Sequence, residues 1–237
     1  MWKLKIEFET LCDAGDFINK IRTINKTEYH IETPNNQILI TGENEYCREL
    51  TLQVLAETIV NNYKSKYFKK HLKLDFLPTT HINILTKLLI MFDIESDIYF
   101  VLNTIENLNF ININSYSSFV LRRIKHKWEE LVVITNLNSS FLLDHDVFIE
   151  FLKHLVCSIQ PKSRAVSLKS DVKKFLLFDE EDNLISSKVD INDEMELIAN
   201  LIILAPQYIN IYCSDKVSEK TFKTLYYLFD KKINLRV

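Results

Sequence analysis

The stretch DEMELIANLIILAPQYINIYC, residues 193–213, decides the fold of the C-terminal third of this chain. Asn192 and the acids that follow it open a helix, because early acidic residues complement the positive end of the helix dipole. The helix is apolar almost throughout and ends at Pro206, which cannot continue it. Residues 208–213 are typical of a β-strand, so the stretch predicts a buried helix joined to a strand.

The segments on either side extend this pattern into an α/β unit. Downstream, Ser218 caps a helix that carries Phe222, Leu225, Tyr226 and Phe229, and residues 233–237 form a last strand. Two strands joined through a helix should pair in parallel. Upstream, strands at residues 165–169, 174–178 and 184–185 surround a polar turn and predict a hairpin.

The N-terminal region predicts a β-α-β-β unit. Residues 2–9 alternate as a strand and residues 12–24 have helical spacing. Two short β-prone runs, residues 29–32 and 37–41, then flank a turn at residues 34–36.

The middle of the chain is predicted to be helical. One helix begins at Asn44 and runs to about residue 72, and further helical patterns fill residues 80–108. Ser115 is expected to cap a helix through Leu131, and Asp144 one through Cys157.

These elements predict an α+β fold in which a helical middle region lies between the N-terminal β-α-β-β unit and a C-terminal hairpin plus α-β-α-β unit. The expected divisions are residues 1–43, 44–160 and 161–237, either as separate parts or as one continuous domain.

Composition excludes several classes of function. The 237 residues are 47% hydrophobic and 26% charged, with a net charge of −3, which is ordinary for a folded cytoplasmic protein and unusual for a dedicated nucleic-acid binder. The N-terminus lacks the apolar core of a secretory signal, and no apolar run is long enough for a membrane span. Two glycines cannot build a Walker loop or a dinucleotide fingerprint. The four scattered cysteines predict reduced, buried thiols.

One compact cluster contains residues that bind metals. Asp144, His145 and Asp146 precede the helix that carries His154, and a His-Asp pair occurs in metal-dependent phosphohydrolases. The two histidines are nine residues apart, which places them on opposite sides of a helix. We expect a helix cap here and neither a metal nor a cofactor.

Two basic, aromatic segments on predicted helices, residues 63–73 and 122–128, are candidates for a binding surface. Positive charge interleaved with aromatic rings suits a polyanion or an acidic partner, whereas alternating charges also occur on solvated helix faces. The candidate partner-binding residues are Tyr63, Tyr67, Phe68, Arg122, Arg123, Lys127 and Trp128.

Three segments of the C-terminal half resemble the YtxC-like sporulation proteins of endospore-forming bacteria. Residues 114–122 are similar to the family's aromatic and arginine-bearing helix start. Residues 147–156, followed by Gln160-Pro161, are similar to its next helix and turn, and residues 201–212 are similar to its helix-Ala-Pro-strand close. The resemblance implies a shared fold and a role in sporulation, without an assigned reaction.

We therefore expect an intracellular, non-enzymatic protein that acts in sporulation through an unknown protein partner, with contacts on the helices of residues 44–131. Nucleic-acid or anionic-surface binding through the basic helices is one alternative. A metal-dependent hydrolase built on Asp144, His145 and Asp146 is the other. The sequence leaves the oligomeric state open.

Overall fold

The computed structural model describes residues 1–8, 11–24, 30–33, 37–171, 174–190, 193–212 and 215–236. They form two compact units, each assembled from two separate parts of the chain. The first unit comprises Met1–Leu72 and Asp93–Ile134, and the second comprises Lys73–Phe92 and Thr135–Val237.

The described helices and strands confirm the predicted α+β class. The helices are α1 (Leu11–Ile24), α2 (Glu45–His71), α3 (Thr79–Met91), α4 (Ile94–Ile105), α5 (Ile113–Phe119), α6 (Arg122–Asn138), α7 (His145–Ser158), α8 (Glu194–Leu204) and α9 (Glu219–Phe229). The strands are β1 (Trp2–Glu7), β2 (His30–Glu32), β3 (Gln37–Gly42), β4 (Phe110–Asn112), β5 (Ser163–Ser170), β6 (Lys174–Phe178), β7 (Leu184–Asp190), β8 (Pro206–Ile211) and β9 (Ile233–Leu235). Short 3₁₀ turns at Ser139–Leu143 and Asp230–Lys232 precede α7 and β9.

The sheet of the first unit has the strand order β2-β3-β1-β4. The predicted β-α-β-β unit is confirmed, with β1 antiparallel to β3 and β3 antiparallel to β2. The alternation of apolar and charged residues explains β1, since Leu4 and Ile6 are buried and Lys3 is exposed. The predicted turn at residues 34–36 lies outside the described residues. Strand β4, which pairs in parallel with β1, is not predicted from the sequence because it is too short to show a periodic pattern.

The helices of the first unit pack mainly through α2 and α4. Asn44 caps α2 as predicted, accepting a hydrogen bond from the Tyr46 amide at 3.0 Å. The predicted helix from Ser115 to Leu131 is wrong. Asn112 is the cap, since its side chain accepts from the Ser115 amide at 2.9 Å. The chain also breaks after Phe119, so that α5 and α6 are separate helices.

The sheet of the second unit has the order β7-β6-β5-β8-β9. β5, β6 and β7 form the predicted hairpin as an antiparallel meander, and β8 pairs in parallel with both β5 and β9. The predicted parallel pairing through a helix is therefore confirmed. Strands β5 and β7 are longer than expected because sheet pairing extends beyond the apolar runs.

The helix ends of the second unit follow the predicted chemistry at Asp144 and Ser218, whose side chains cap α7 and α9. Asp193 caps α8, while Asn192, the residue predicted to open that helix, lies outside the described residues. The helix closes at Ala205, which takes a left-handed conformation with φ 42° and lets Pro206 start β8. α3 packs against α8, and α7 packs against α9.

The two units divide the predicted regions unequally. Residues 1–43 lie wholly in the first unit and residues 161–237 wholly in the second, whereas the helical region at residues 44–160 is shared between them. Among the described residues, no helix is both long and apolar enough to cross a bilayer.

Candidate functional site

The predicted basic surface is only partly a surface. Arg122 and Arg123 are exposed at the start of α6, whereas Phe68 and Trp128 are buried at 0% and 1% exposure. Those two aromatic side chains belong to the core of the first unit and are not presented to a partner in this structure.

The remaining residues of that prediction lie at the edge of the core. Tyr63 and Tyr67 are partly exposed. The Tyr67 ring stacks on His71 with centroids 4.4 Å apart and lies 5.8 Å from the ring of Trp128. Burial, helped by the charge of Glu129, raises the pKa of Tyr67. The residues that reach solvent are therefore mainly the arginines and Lys127.

A buried ion pair lies beneath this surface. Lys64 of α2 and Asp97 of α4 are each 1% exposed, and the Lys64 Nζ donates to Asp97 Oδ2 at 2.8 Å. The Trp128 Nε1 donates to the same oxygen at 2.8 Å. The Lys64 ammonium also lies 5.9 Å from the Trp128 ring centroid. One carboxylate thus ties together α2, α4 and α6.

The other carboxylate oxygen of Asp97, Oδ1, makes weaker contacts than Oδ2. Among the described residues, Oδ1 has no hydrogen-bond partner, although the Lys127 Nζ lies 3.8 Å away. Lys127 instead pairs with Asp93 at 2.9 Å and donates to Ser96 at 3.3 Å. The hydrogen bond to Asp93 raises the pKa of Lys127.

Burial lowers the pKa of Lys64 even though Asp97 opposes the shift. The two effects conflict, and desolvation dominates because the ammonium is almost completely removed from water. A depressed lysine pKa in an open cleft would indicate a nucleophile. At 1% exposure no substrate reaches this lysine, so we interpret the pair as structural.

The predicted metal-capable residues do not form a cluster. Asp144 is the cap of α7, and the exposed His154 lies 3.8 Å from Glu150. The structure adds His81, whose ring stacks on buried Phe148 at 4.1 Å. Burial, with a smaller effect from the charge of His145, lowers the pKa of His81. In the described part of the chain, no group of three or more His, Cys, Asp or Glu is placed to hold a metal ion.

A groove of about 940 Å³ lies between α7 and α9 in the second unit, and we call it the tyrosine groove. Its apolar lining includes Val156 and Phe222, and its exposed rings are those of Tyr226 and Tyr227, at 48% and 40% exposure. The Phe222 and Tyr226 rings meet at 5.7 Å because they lie one helical turn apart.

Lysines give the tyrosine groove a positive charge. Lys153, Lys223 and Lys232 line it, against the single carboxylate of Asp230. The Lys153 Nζ lies 3.8 Å from the centroid of the Tyr227 ring, a cation–π contact that holds both side chains in place. A preorganised cation beside exposed rings suits an anionic ligand that also carries apolar groups.

Neither the burial of Lys64 nor the tyrosine groove is predicted from the sequence. Lys64 follows Val60 by four residues and precedes Phe68 by four, so helical periodicity places it on the buried face of α2. Tyr227 is not among the α9 residues named in the sequence prediction, which are Phe222, Leu225, Tyr226 and Phe229. Cys157, predicted to be buried, is exposed beside the groove, whereas Cys47 is buried as expected.

Comparison of the chain with family models, with curated proteins and with solved structures finds no match.

Proposed function

We propose that this chain is a non-enzymatic protein that acts in the cytoplasm by binding a protein partner through the tyrosine groove. The observation that carries the proposal is the pair of half-exposed tyrosines, Tyr226 and Tyr227, on a groove lined by lysines. Tyrosine is among the residues that contribute most to binding energy at protein interfaces.

The geometry favours a protein segment as the occupant. A groove of about 940 Å³ lies at the upper end of the range for ligand pockets and is open along two helices, which suits an extended or helical segment. Lys153 is already held over Tyr227, so little side-chain freedom is lost on binding.

This location differs from the region expected from the sequence, residues 44–131. The reason is physical, because Phe68 and Trp128 are packed inside the first unit, whereas the rings of α9 reach solvent. Sporulation is the process that we propose for this binding, and it rests on the resemblance of three segments to the YtxC-like proteins.

One observation supports nucleic-acid binding as a second candidate. Arg122 and Arg123 are adjacent and exposed at the start of α6. Their replacement by Glu should abolish a gel shift at low salt, and the affinity of the unmodified chain should fall steeply with salt because phosphate contacts release counterions. A complete lack of shift for the unmodified chain would refute this candidate.

Affinity purification with cross-linking from sporulating cells tests the main proposal. The double variant Tyr226→Ser, Tyr227→Ser should reduce recovery of a specific partner by about tenfold or more, since buried interface tyrosines contribute on the order of 2 kcal/mol. The matched control is Tyr46→Ser with Tyr99→Ser, two tyrosines of the first unit at 62% and 67% exposure.

Equal recovery for the groove and control variants would refute the groove as the binding site. Cross-links confined to α2 and α6 would return the contact to the region expected from the sequence. An unchanged spore yield after deletion of the gene would refute the role in sporulation.

A further inference from the structure

The second unit also carries a segment whose chemistry complements the tyrosine groove. Residues 179–185, which comprise the turn after β6 and the first two residues of β7, read Asp-Glu-Glu-Asp-Asn-Leu-Ile, and we call them the acidic tip. Every residue from Glu180 to Ile185 is exposed, with Leu184 and Ile185 at 53% and 41%. Acidic groups and apolar groups thus lie side by side in one short segment.

Hydrogen bonds hold the acidic tip in one shape. Asp179 Oδ1 accepts from the amides of Glu181 and Asn183 at 2.9 and 2.8 Å, and the Asn183 side chain donates to Asp179 Oδ2 at 3.0 Å. The hydrogen bonds from Asn183 lower the pKa of Asp179, so its carboxylate stays ionised and the turn stays closed at neutral pH. A preformed turn loses little conformational entropy on binding.

The charges of the acidic tip are largely available. Lys169 pairs with Asp182 at 2.6 Å, whereas Glu180 and Glu181 have no ion pair among the described residues. In the tyrosine groove, Lys223 pairs with the exposed Glu219, while Lys153 and Lys232 have no carboxylate partner in the described chain. Two acidic side chains can therefore meet two lysines without displacing an existing pair.

The acidic tip does not occupy the groove of its own chain. The described lining comes from α7, α9 and the 3₁₀ turn that follows α9, and it includes no tip residue. The groove in this structure is therefore open to the tip of a second molecule.

We infer that the tyrosine groove takes the acidic tip of a second copy of this chain, with Glu180 and Glu181 on the lysines and Leu184 and Ile185 on the rings of Tyr226 and Tyr227. This inference rests on the proposed function, because it names the occupant of the same groove. Such a contact joins two different surfaces, so a single contact leaves one copy with an unused groove and the other with an unused tip. Association then either closes as a reciprocal dimer, with each tip in the groove of the other copy, or continues as a ring or a chain of subunits.

A seven-residue tip buries less surface than a permanent interface, so the association should be weak and dependent on concentration. Sedimentation velocity of the full chain tests this over a concentration series that reaches roughly 200 µM. The average mass should rise with concentration at low salt. It should return toward the monomer at 1 M salt, where charges are screened beyond about 3 Å.

Charge-reversal variants distinguish this contact from nonspecific association. The groove variant Lys153→Glu, Lys232→Glu and the tip variant Glu180→Lys, Glu181→Lys should each weaken self-association by about 100-fold, because like charges then face each other. The tip variant lies on an exposed turn, so it tests the inference even if the groove variant fails to fold. The matched control, Glu129→Lys with Glu130→Lys, changes net charge equally on exposed positions of α6 and should associate normally.

Mixing gives the sharpest result. In an equimolar mixture of the two variants, the acidic tip of one meets the basic groove of the other, and the reversed pair also matches, so association should be restored. A mixture that stays monomeric although both variants are folded would refute the contact.

The outcomes keep this inference and the proposed function apart. If the unmodified chain is monomeric at every concentration and salt, the second-copy occupant is refuted. Loss of partner capture by Tyr226→Ser, Tyr227→Ser would then still support the groove as a binding site. If capture is also insensitive to those substitutions, both ideas fail.

Discussion

Replacing Asp97 by Asn tests the buried ion pair most directly. The substitution preserves the shape of the side chain and an oxygen that can accept from Trp128, but it removes the negative charge beside Lys64. The Lys64 ammonium, 1% exposed, would then lose the carboxylate to which it donates at 2.8 Å. We expect Asp97→Asn to destabilise the first unit strongly.

The magnitude can be bounded in two ways. Removing one partner of a buried pair typically costs about 3–5 kcal/mol. Alternatively, Lys64 loses its proton. Deprotonating an ordinary lysine, with a pKa near 10.4, costs about 1.4 kcal/mol for each unit by which the pH lies below that pKa, which is roughly 5 kcal/mol at pH 7. The two routes agree, and the cost is a large part of the roughly 5–15 kcal/mol that stabilises a typical domain.

The pH dependence has a defined sign. Burial lowers the pKa of Lys64 in the folded protein, so the unfolded state binds more protons between the folded and unfolded pKa values. Stability contributed by this group therefore rises as the pH increases through that interval. Loss of the carboxylate lowers the pKa of Lys64 further. The difference between Asp97→Asn and the unmodified chain should shrink above about pH 10.

Urea unfolding followed by tryptophan fluorescence is a suitable assay, because both tryptophans, Trp2 and Trp128, lie in the first unit. Combining Asp97→Asn with Lys64→Met removes both charges and should recover stability to within about 2 kcal/mol of the unmodified chain. The control Lys127→Ala loses exposed contacts with Asp93 and Ser96 and a 3.8 Å approach to Asp97, and it should cost about 1 kcal/mol or less. A cost for Asp97→Asn no larger than this control, or no recovery in the double variant, would refute the reasoning.

Three further predictions concern single positions. Gly42→Ala should cost about 1–3 kcal/mol of stability, because the new Cβ would lie 2.9 Å from the indole ring of Trp2. Gly15→Ala meets nothing within 4 Å and should add roughly 0.5–1 kcal/mol of helix stability. Equal effects of the two substitutions in urea unfolding would contradict this prediction. Asp144→Ala should cost about 1 kcal/mol by circular dichroism, without any change in bound metal, because its side chain caps α7 through two amides. Cys157 should be alkylated rapidly in the folded protein and Cys47 only after unfolding, as read by peptide mass spectrometry; protection of Cys157 in the monomer would place it in the interior.

Local chemistry predicted most of the secondary structure. Asn44, Asp144 and Ser218 are caps because short polar side chains satisfy the first amides of a helix, and this signal lies within four residues. Ser115 is not a cap, contrary to the prediction, because the Asn112 side chain three residues earlier accepts the hydrogen bond from the Ser115 amide. Which of two local caps is used depends on the pairing of β4 with β1, a contact distant in sequence.

The candidate site was harder to predict. Helical periodicity places Lys64 on the buried face of α2, but its neighbours Asp97 and Trp128 lie on two other helices and cannot be assigned from the local sequence. The tyrosine groove likewise requires α7 and α9 to be adjacent, although they are separated by four strands and a helix in the chain. The sequence alone can show that a helix has more aromatic residues than its buried face can hold, but it cannot show which other helix lies beside them.

The interleaving of the two units along the chain constrains how this protein can be made and dissected. Because α3 belongs to the second unit but is synthesised before α4, its apolar face, which includes Leu85, Leu88 and Leu89, leaves the ribosome long before α8 is available to cover it. No single cut separates two complete units. A fragment ending at residue 134 would contain the whole first unit together with an uncovered α3, and the complementary fragment would expose α8. Truncated fragments would therefore expose apolar surface and tend to aggregate, so they would assign function to the wrong region. Point substitutions leave both units whole.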